Sequence, residues 1–297
     1  MFSLDYQYYK ANMKIEFAVF FRFFGLLTRV VAPDPPLILT TFDQISHLYI
    51  ILYFKIFIFS MIEITVPVLN EEKNLKRQIL KLQNWLIENV KGICEWKIVI
   101  ADNGSYDMTE QIAKDLENEF KAIRYIRLEE KGVGLALHTS WTKSNADVVG
   151  YMDLDLATNL IHFKEAMQAI DDGYDIVYAT RLHPKSKVKG RSIKRELSSR
   201  CFNLFLRRYL NVRFSDGMCG FKFLKKDKYS ALYMHGAQSK GWFFSTELLV
   251  LAERLKYKIY ELPVEWTDND ESHVRIVPLA IQYLKSMKRL KSLIVNQ

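Results

Sequence analysis

The sequence predicts an α/β fold, a mostly parallel central sheet with helices on both faces. Three observations carry this. From Met61 onward, strand-length apolar runs alternate with stretches of helical period. The runs are separated by segments long enough to be crossover helices, and such crossovers join parallel neighbours. The run Asp147–Met152 is apolar almost throughout and rich in β-branched residues, the pattern of a strand covered on both faces.

Taken in order, Glu63–Pro67 reads as the first strand. After Asn70-Glu71-Glu72, Leu75, Ile79, Leu82 and Leu86 recur at helical spacing. Lys97–Ala101 is a second strand, ending at Asp102-Asn103-Gly104-Ser105. Gly104 permits a tight turn there, and Ser105 or Asp107 caps a helix from about Met108 to Glu119. A short strand Ala122–Arg127 precedes Lys131-Gly132-Val133-Gly134, which opens another helix. Asp147–Met152 follows, then a helix around Ile161–Asp171 and the strand Tyr174–Ala179. Helix Ile193–Tyr209, a strand-like Phe214–Leu224, helix Phe244–Leu255 and strand Lys258–Val264 complete the domain. The tail Leu279–Leu293 is amphipathic, with Leu284, Met287 and Leu290 on one side and Lys285, Lys288 and Lys291 on another.

Residues 1–60 differ. Phe17–Val31 and Ile45–Ser60 are crowded with Phe, Ile, Leu and Tyr around Pro33, Pro35 and Pro36, but Arg22, Arg29 and Lys55 interrupt them. Neither run is a clean span of about 20 apolar residues. Two readings stand open: a membrane-associating hairpin or anchor, or an upstream extension of the reading frame, since Met61 begins a domain cleanly. The domain itself runs from 61 to 290.

Three scattered cysteines, Cys94, Cys201 and Cys219, make neither a disulfide frame nor a zinc site, which favours a reducing compartment. The net charge of +8 is concentrated: residues 181–213 hold eleven Lys and Arg against the single acid Glu196. A local patch of this kind points to a localised anion or a membrane surface. No helix-turn-helix, zinc-finger or RNA-sheet signature supports nucleic acid as a partner.

Asp153 and Asp155 stand two apart where the buried strand Asp147–Met152 ends. In extended backbone such residues point to one side, and two adjacent carboxylates repel unless a cation lies between them. Mg²⁺ or Mn²⁺, taking oxygen ligands and holding a substrate phosphate, fits that need. Helix capping or a solvated turn is the alternative. Glu71, at the first strand's exit, is placed to hydrogen-bond a ribose, and Asp102 to accept from a base N–H. Each alone also suits a purely structural role. Gly132 and Gly134 mark a loop where backbone approaches a nucleotide, or simply a turn.

The blocks Val66–Glu72, Ala101–Ser105, Lys131–Ala136 and Asp153–Leu156 resemble, in order, the motifs of GT-A-fold glycosyltransferases of family 2. Phe214–Lys222, Gly241–Leu248 and Leu262–Trp266 are similar to its polyprenyl-phosphate branch, which includes dolichyl-phosphate mannose synthases and dolichyl-phosphate glucosyltransferases. The resemblance implies a GT-A-type fold, Rossmann-like in its nucleotide-binding half, a nucleotide-sugar donor of UDP-glucose or GDP-mannose type, Mg²⁺ or Mn²⁺, and inversion at the anomeric carbon. Carried over by position, Pro67, Asn70, Glu71, Asp102, Asn103, Gly104, Lys131, Gly132, Gly134 and Asp153 bind the donor, and Asp153 and Asp155 the metal. Arg181, Arg195 and Ser199 match the residues that hold the acceptor phosphate, with Asp155, Arg181 and Glu247 as the catalytic set. Ser245 stands where the family often has Asp, which puts that acid's role in doubt.

A phosphate monoester is already anionic near neutral pH, so it attacks without a strong protein base and needs positioning by arginine instead. The resulting expectation is a metal-dependent, inverting hexosyltransferase that charges a polyprenyl or dolichyl phosphate at the cytosolic face of a membrane. Lys185, Lys187, Lys189, Lys194 and Arg200 would meet anionic headgroups while Leu197, Leu204 and Phe205 dip toward lipid. The rival keeps the fold and uses a saccharide or other hydroxyl acceptor, which needs a carboxylate base. A noncatalytic RNA- or membrane-binding module is the remaining alternative. Trp242 and Trp266 fit either a sugar-stacking or a core position.

Overall fold

The computed structural model describes residues 59–268 and 276–295. Of the N-terminal extension expected over residues 1–60, residues 1–58 lie outside that range, while Phe59 packs into the core of the domain and Ser60 hydrogen-bonds Asp147. The strands, in chain order, are β1 (Met61–Val68), β2 (Glu95–Asp102), β3 (Ile123–Arg127), β4 (Val148–Met152), β5 (Ile176–Thr180), β6 (Lys187–Lys189), β7 (Phe221–Lys225), β8 (Ile259–Pro263) and β9 (Glu265–Thr267). Seven form one sheet in the order β3-β2-β1-β4-β7-β5-β8, and β6 pairs with β9 in a second, two-stranded sheet. Every pairing in the large sheet is parallel except those of β7, which runs antiparallel to β4 and β5. The predicted α/β architecture with a mostly parallel sheet is therefore the one observed.

The helices are α1 (Leu75–Val90), α2 (Thr109–Glu119), α3 (Val133–Thr142), α4 (His162–Asp171), α5 (Ile193–Leu210), α6 (Lys226–Met234), α7 (Phe244–Arg254) and α8 (Ile276–Val295). Strands β1, β4, β5 and β7 are buried on both faces, and their period of two sorts side chains between two cores. Val148 and Met152 of β4 and Val177 and Ala179 of β5 face a core with α1, α2 and α4. Val149, Tyr151, Ile176 and Tyr178 face the other, with α3, α5, α6, α7 and α8. Helix α1 buries Leu75, Ile79, Leu82 and Leu86, the four read from spacing. Each such side chain contributes about 2 kcal/mol of transfer free energy.

The sequence reading placed most boundaries within two residues. It overextended one element: the strand expected over Phe214–Leu224 is confined to Phe221–Lys225. Residues 214–220 instead turn, because the Glu253 carboxylate accepts from the Arg213 and Phe214 amides. The Asp216 carboxylate also accepts from the Met218 amide. It missed β6, β9 and α6, the two strands being three residues each.

Candidate active site

The C-terminal ends of β1, β2 and β4 lie side by side, since Thr65 pairs with Tyr151 and Pro67 with Ala101. Continuing the register places Pro67 level with Asp153. The loops leaving these strands are laced together. Asn103 donates its amide and side chain to the Val68 carbonyl and accepts from the Gly132 amide at 3.0 Å. Asn70 accepts from the Tyr106 amide, and its own amide donates to Ser105. The Glu71 amide donates to Thr109. Of the two cap candidates it is Asp107 that accepts from the Thr109 amide, while Ser105 serves Asp102.

Asp102 is fully buried and already engaged at both oxygens. Oδ1 accepts from the Ser105 amide and hydroxyl at 2.8 and 2.6 Å, and Oδ2 from Tyr125 at 2.9 Å and Arg127 at 3.4 Å. Gly104 turns the chain at φ 76°. Gly132 and Gly134 do permit a close backbone approach, but to the chain itself: an added Cβ would stand 2.3 Å from the Lys240 carbonyl and 2.1 Å from that of Ser239. Lys131 lies over the Tyr106 ring at 5.9 Å.

Asp153 and Asp155 emerge from β4 into a cleft of about 10 Å³, lined also by Met152, Thr158, Gly220 and Trp266. That is room for one water or small ion. Asp153 is half-buried, and its enclosed Oδ1 has no hydrogen-bond partner among the described residues. Burial, with the neighbouring charge of Asp155, pushes its pKa from 3.8 up to about 7. Burial also raises that of Asp155, whose Oδ1 accepts from the Ala157 amide. Gly220 makes the cleft possible: a Cβ there would lie 1.8 Å from the Asp153 carboxylate. The donor set suits a hard divalent cation, with a buried orphan oxygen, a second carboxylate and space for one ion.

Arg181 follows β5 and reaches the same place. Its Nε and Nη2 donate to the two oxygens of the buried Asp216 at 2.7 and 3.0 Å. Burial works to raise the Asp216 pKa, but the Arg181 charge and hydrogen bonds prevail and hold it at about 2. Arg181 also lowers the pKa of both Asp153 and Asp155 through its charge, so guanidinium and carboxylates share one site. The Arg181 guanidinium stands 5.4 Å from the Trp266 ring centroid. Arg195, on α5, donates to Asp268 at 2.6 Å, and the charge of Asp268 in turn reaches Asp155. Ser199, one turn further along α5, is buried with its hydroxyl unpartnered among the described residues.

Glu247 is fully buried and bound elsewhere. It accepts from the Ser239 amide and hydroxyl and pairs with Arg289 of α8, and burial raises its pKa. Ser245 is buried beneath the Gly217 carbonyl and Lys222. Sequence reasoning assigned no role to Asp216, Gly220 or Lys222, although all three lie in one of the matched blocks. The Lys222 ammonium, buried and lowered to about 8 by that burial, donates to the Cys219 and Gly217 carbonyls and stitches the turn beside Asp153. A wider groove of about 670 Å³ continues from Asp155 between α1 and the β6–β9 pair, past Arg77, Lys81, Lys189 and Trp266.

Comparison with known proteins gives three findings. The family model described as Glycosyl transferase family 2 matches residues 63–232. Glycosyltransferase AglD of Haloferax volcanii is 28% identical over 218 residues, covering 73% of this chain and 34% of its own. Dolichyl-phosphate beta-glucosyltransferase ALG5A of Trichomonas vaginalis is 28% identical over 224 residues, 72% of this chain and 68% of its own. The chain thus spans about a third of the length of the first relative and about two thirds of the second. Among solved structures, glucosyl-3-phosphoglycerate synthase of Mycobacterium tuberculosis, in complex with Mn²⁺, UDP and glucosyl-3-phosphoglycerate, superposes with TM-score 0.58 at 19% identity. The superposition covers 79% of this chain and 80% of that one, a likeness of fold.

Proposed function

The chain belongs to glycosyl transferase family 2, and from that premise we propose that it moves a hexose, with inversion, from a nucleotide sugar to a polyprenyl or dolichyl phosphate. The observation that carries this reading is the pairing of two chemistries in one cleft. A carboxylate with an enclosed, unpartnered oxygen lies within electrostatic reach of Arg181, and Asp268, which Arg195 of α5 binds, acts on its neighbour Asp155.

The residues divide the work. Pro67, Asn70, Glu71, Asn103 and the Gly132 loop form one hydrogen-bonded rim on which the nucleoside lies. Asp153 and Asp155 would hold Mg²⁺ or Mn²⁺, which when bound offsets charge building on the departing diphosphate. Among the described residues no group of three His, Cys, Asp or Glu gathers here, so donor phosphate and water would complete the shell. Arg181, Arg195 and Ser199 hold the acceptor phosphate. One of its oxygens attacks the anomeric carbon from the face opposite the leaving diphosphate. The nucleophile carries its own charge, so no protein group takes a proton. The solved fold neighbour bound with Mn²⁺ and UDP, and the dolichyl-phosphate name of the relatives, support this assignment.

The membrane-face reading is supported by α5, which exposes Ile193, Leu197, Leu204 and Phe205 among its basic residues. That combination suits an interface with anionic lipid on the cytosolic side. Among the described residues, no helix is long and apolar enough to cross a membrane.

The test is transfer to a short polyprenyl phosphate with UDP-glucose and GDP-mannose in parallel, for the wild type and Asp155→Ala. Loss of transfer in the variant with an unchanged melting temperature is expected. Equal turnover in the two proteins would refute the carboxylate's role, and transfer to free sugars in preference to lipid phosphate would refute the acceptor.

A further inference from the structure

Helix α5 and the loop before it carry an arginine that neither the motif match nor the reaction above uses. Arg191 is not a solvated surface cation: its side chain is only 10% exposed. Its guanidinium stands 5.7 Å from the centroid of the Trp266 ring, the same ring that Arg181 approaches at 5.4 Å. Burial and the repulsion of Arg181 both work against its charge. The one carboxylate it binds, Glu196 at 2.8 Å, is shared with Arg200 at 2.5 Å. Asp216, bound by Arg181, and Asp268 favour the Arg191 charge from a distance, but it is the Trp266 indole that both guanidiniums approach.

Trp266 is itself fixed on two sides. Its backbone pairs with Val188 of β6 and bridges to Thr158, three residues beyond Asp155. The flanking Thr267 amide donates to the Ala157 carbonyl, and the Asn159 amide to that of Glu265. The ring thus stands between the metal-binding turn and the basic loop, lining the cleft that holds Asp153 and Asp155. Two guanidiniums brought together in partial burial repel. Cation–π contact with the shared indole offsets part of this, and a dianion entering beside them would offset more.

We infer that Arg191 is a further ligand of the acceptor phosphate, and that Trp266 is the positioning residue that holds Arg181 and Arg191 ready for it. The inference rests on the phosphate-acceptor reading above. It adds no new bond-making step: the phosphate gains one more charge-assisted donor, and the carbon–oxygen exchange is unchanged.

The experiment uses the full chain, with farnesyl phosphate as probe, in two readouts: binding without donor by fluorescence titration, and steady-state transfer. Arg191→Gln should raise both the Kd and the acceptor KM about tenfold, the worth of one charge-assisted hydrogen bond, with donor KM unchanged. Trp266→Leu should reproduce that loss, and Trp266→Phe should restore most of it, since a smaller aromatic face keeps the cation–π contact. Thermal melting of each variant separates binding loss from unfolding, and Arg191→Gln stands alone if Trp266→Leu fails to fold. Wild-type transfer with both values in Arg191→Gln within about twofold overturns this inference and leaves the phosphate-acceptor reading intact. Wild-type binding that Arg191→Gln weakens, with no transfer in either protein, supports the anion site while refuting farnesyl phosphate as acceptor.

Discussion

Asp153, half-buried with one oxygen enclosed, and the fully buried Asp216 are set at the end of β4 and in the turn before β7, yet they face opposite electrostatic fates. Asp216 is matched: the Arg181 fork meets both its oxygens and holds its pKa near 2. Asp153 is unmatched: one oxygen lacks a partner among the described residues, and its pKa rises to about 7. Burial acts on both in the same direction, so the difference lies in what the rest of the chain supplies. A matched carboxylate is part of the scaffold, whereas an unmatched one beside a second acid is the arrangement that suits a cation.

Substitutions at the two positions should therefore separate stability from activity. Asp153→Asn should lower transfer on the order of a thousandfold with the melting temperature unchanged or higher, because an unpaired buried charge is removed. Comparable turnover in the variant would break the contrast. Asp216→Ala should behave in the opposite manner, costing about 3–5 kcal/mol of stability by leaving Arg181 buried and unpaired. Urea unfolding reads this directly. Gly220→Ala probes the wall of the empty side: the added methyl collides with the Asp153 carboxylate and should cost about 1–3 kcal/mol while abolishing Mn²⁺ binding in calorimetry.

The pH dependence sharpens the contrast further. The folded protein without metal holds a proton on Asp153 that the unfolded chain releases above its ordinary value of 3.8. That contribution to stability is present below about pH 4 and is lost as pH rises through about 7. Cation binding needs the carboxylate ionised, so Mn²⁺ affinity should fall up to about tenfold per pH unit below 7, with proton release detectable from calorimetry in buffers of different ionisation enthalpy. A pH-independent affinity from pH 5 to 8 would contradict the assignment. The smallest effect belongs to the pair Arg195–Asp268, exposed on the arginine side. Breaking it with Arg195→Ala should change stability by less than about 1 kcal/mol, while acceptor KM rises and donor KM does not.

The sequence made much of this legible because long buried strands and helical faces announce themselves. Leu75, Ile79, Leu82 and Leu86 mark α1 from spacing alone, and the acids at the ends of β1, β2 and β4 mark one sheet edge. The family resemblance assigns Asp153, Arg181, Arg195 and Ser199 to one site, and of these the structure sets Arg181 within electrostatic reach of Asp153. What escaped was decided at longer range. Three residues of β6 or β9 carry no periodicity, and their pairing depends on partners 78 positions away, as between Val188 and Trp266. Glu247 reads as a pocket acid, yet Arg289 of α8 and the Ser239 turn claim it. The neighbours of Gly132 and Gly134 are the Lys240 and Ser239 carbonyls, which no local spacing indicates. Arg191 reads as one charge among eleven until Trp266 arrives beside it.

The reversed direction of β7 has a consequence for how the site is assembled. Its parallel neighbours offer their exits to the reacting edge, whereas β7 offers its entrance, so the turn 214–220 reaches the cleft before the strand begins. Had those five residues run the other way, the turn would sit at the far rim, about 17 Å off at ordinary strand rise. Arg181 would then lack its counter-ion and Asp153 its glycine wall. One inverted thread thus delivers both the counter-ion that anchors Arg181 and the clearance around the Asp153 carboxylate.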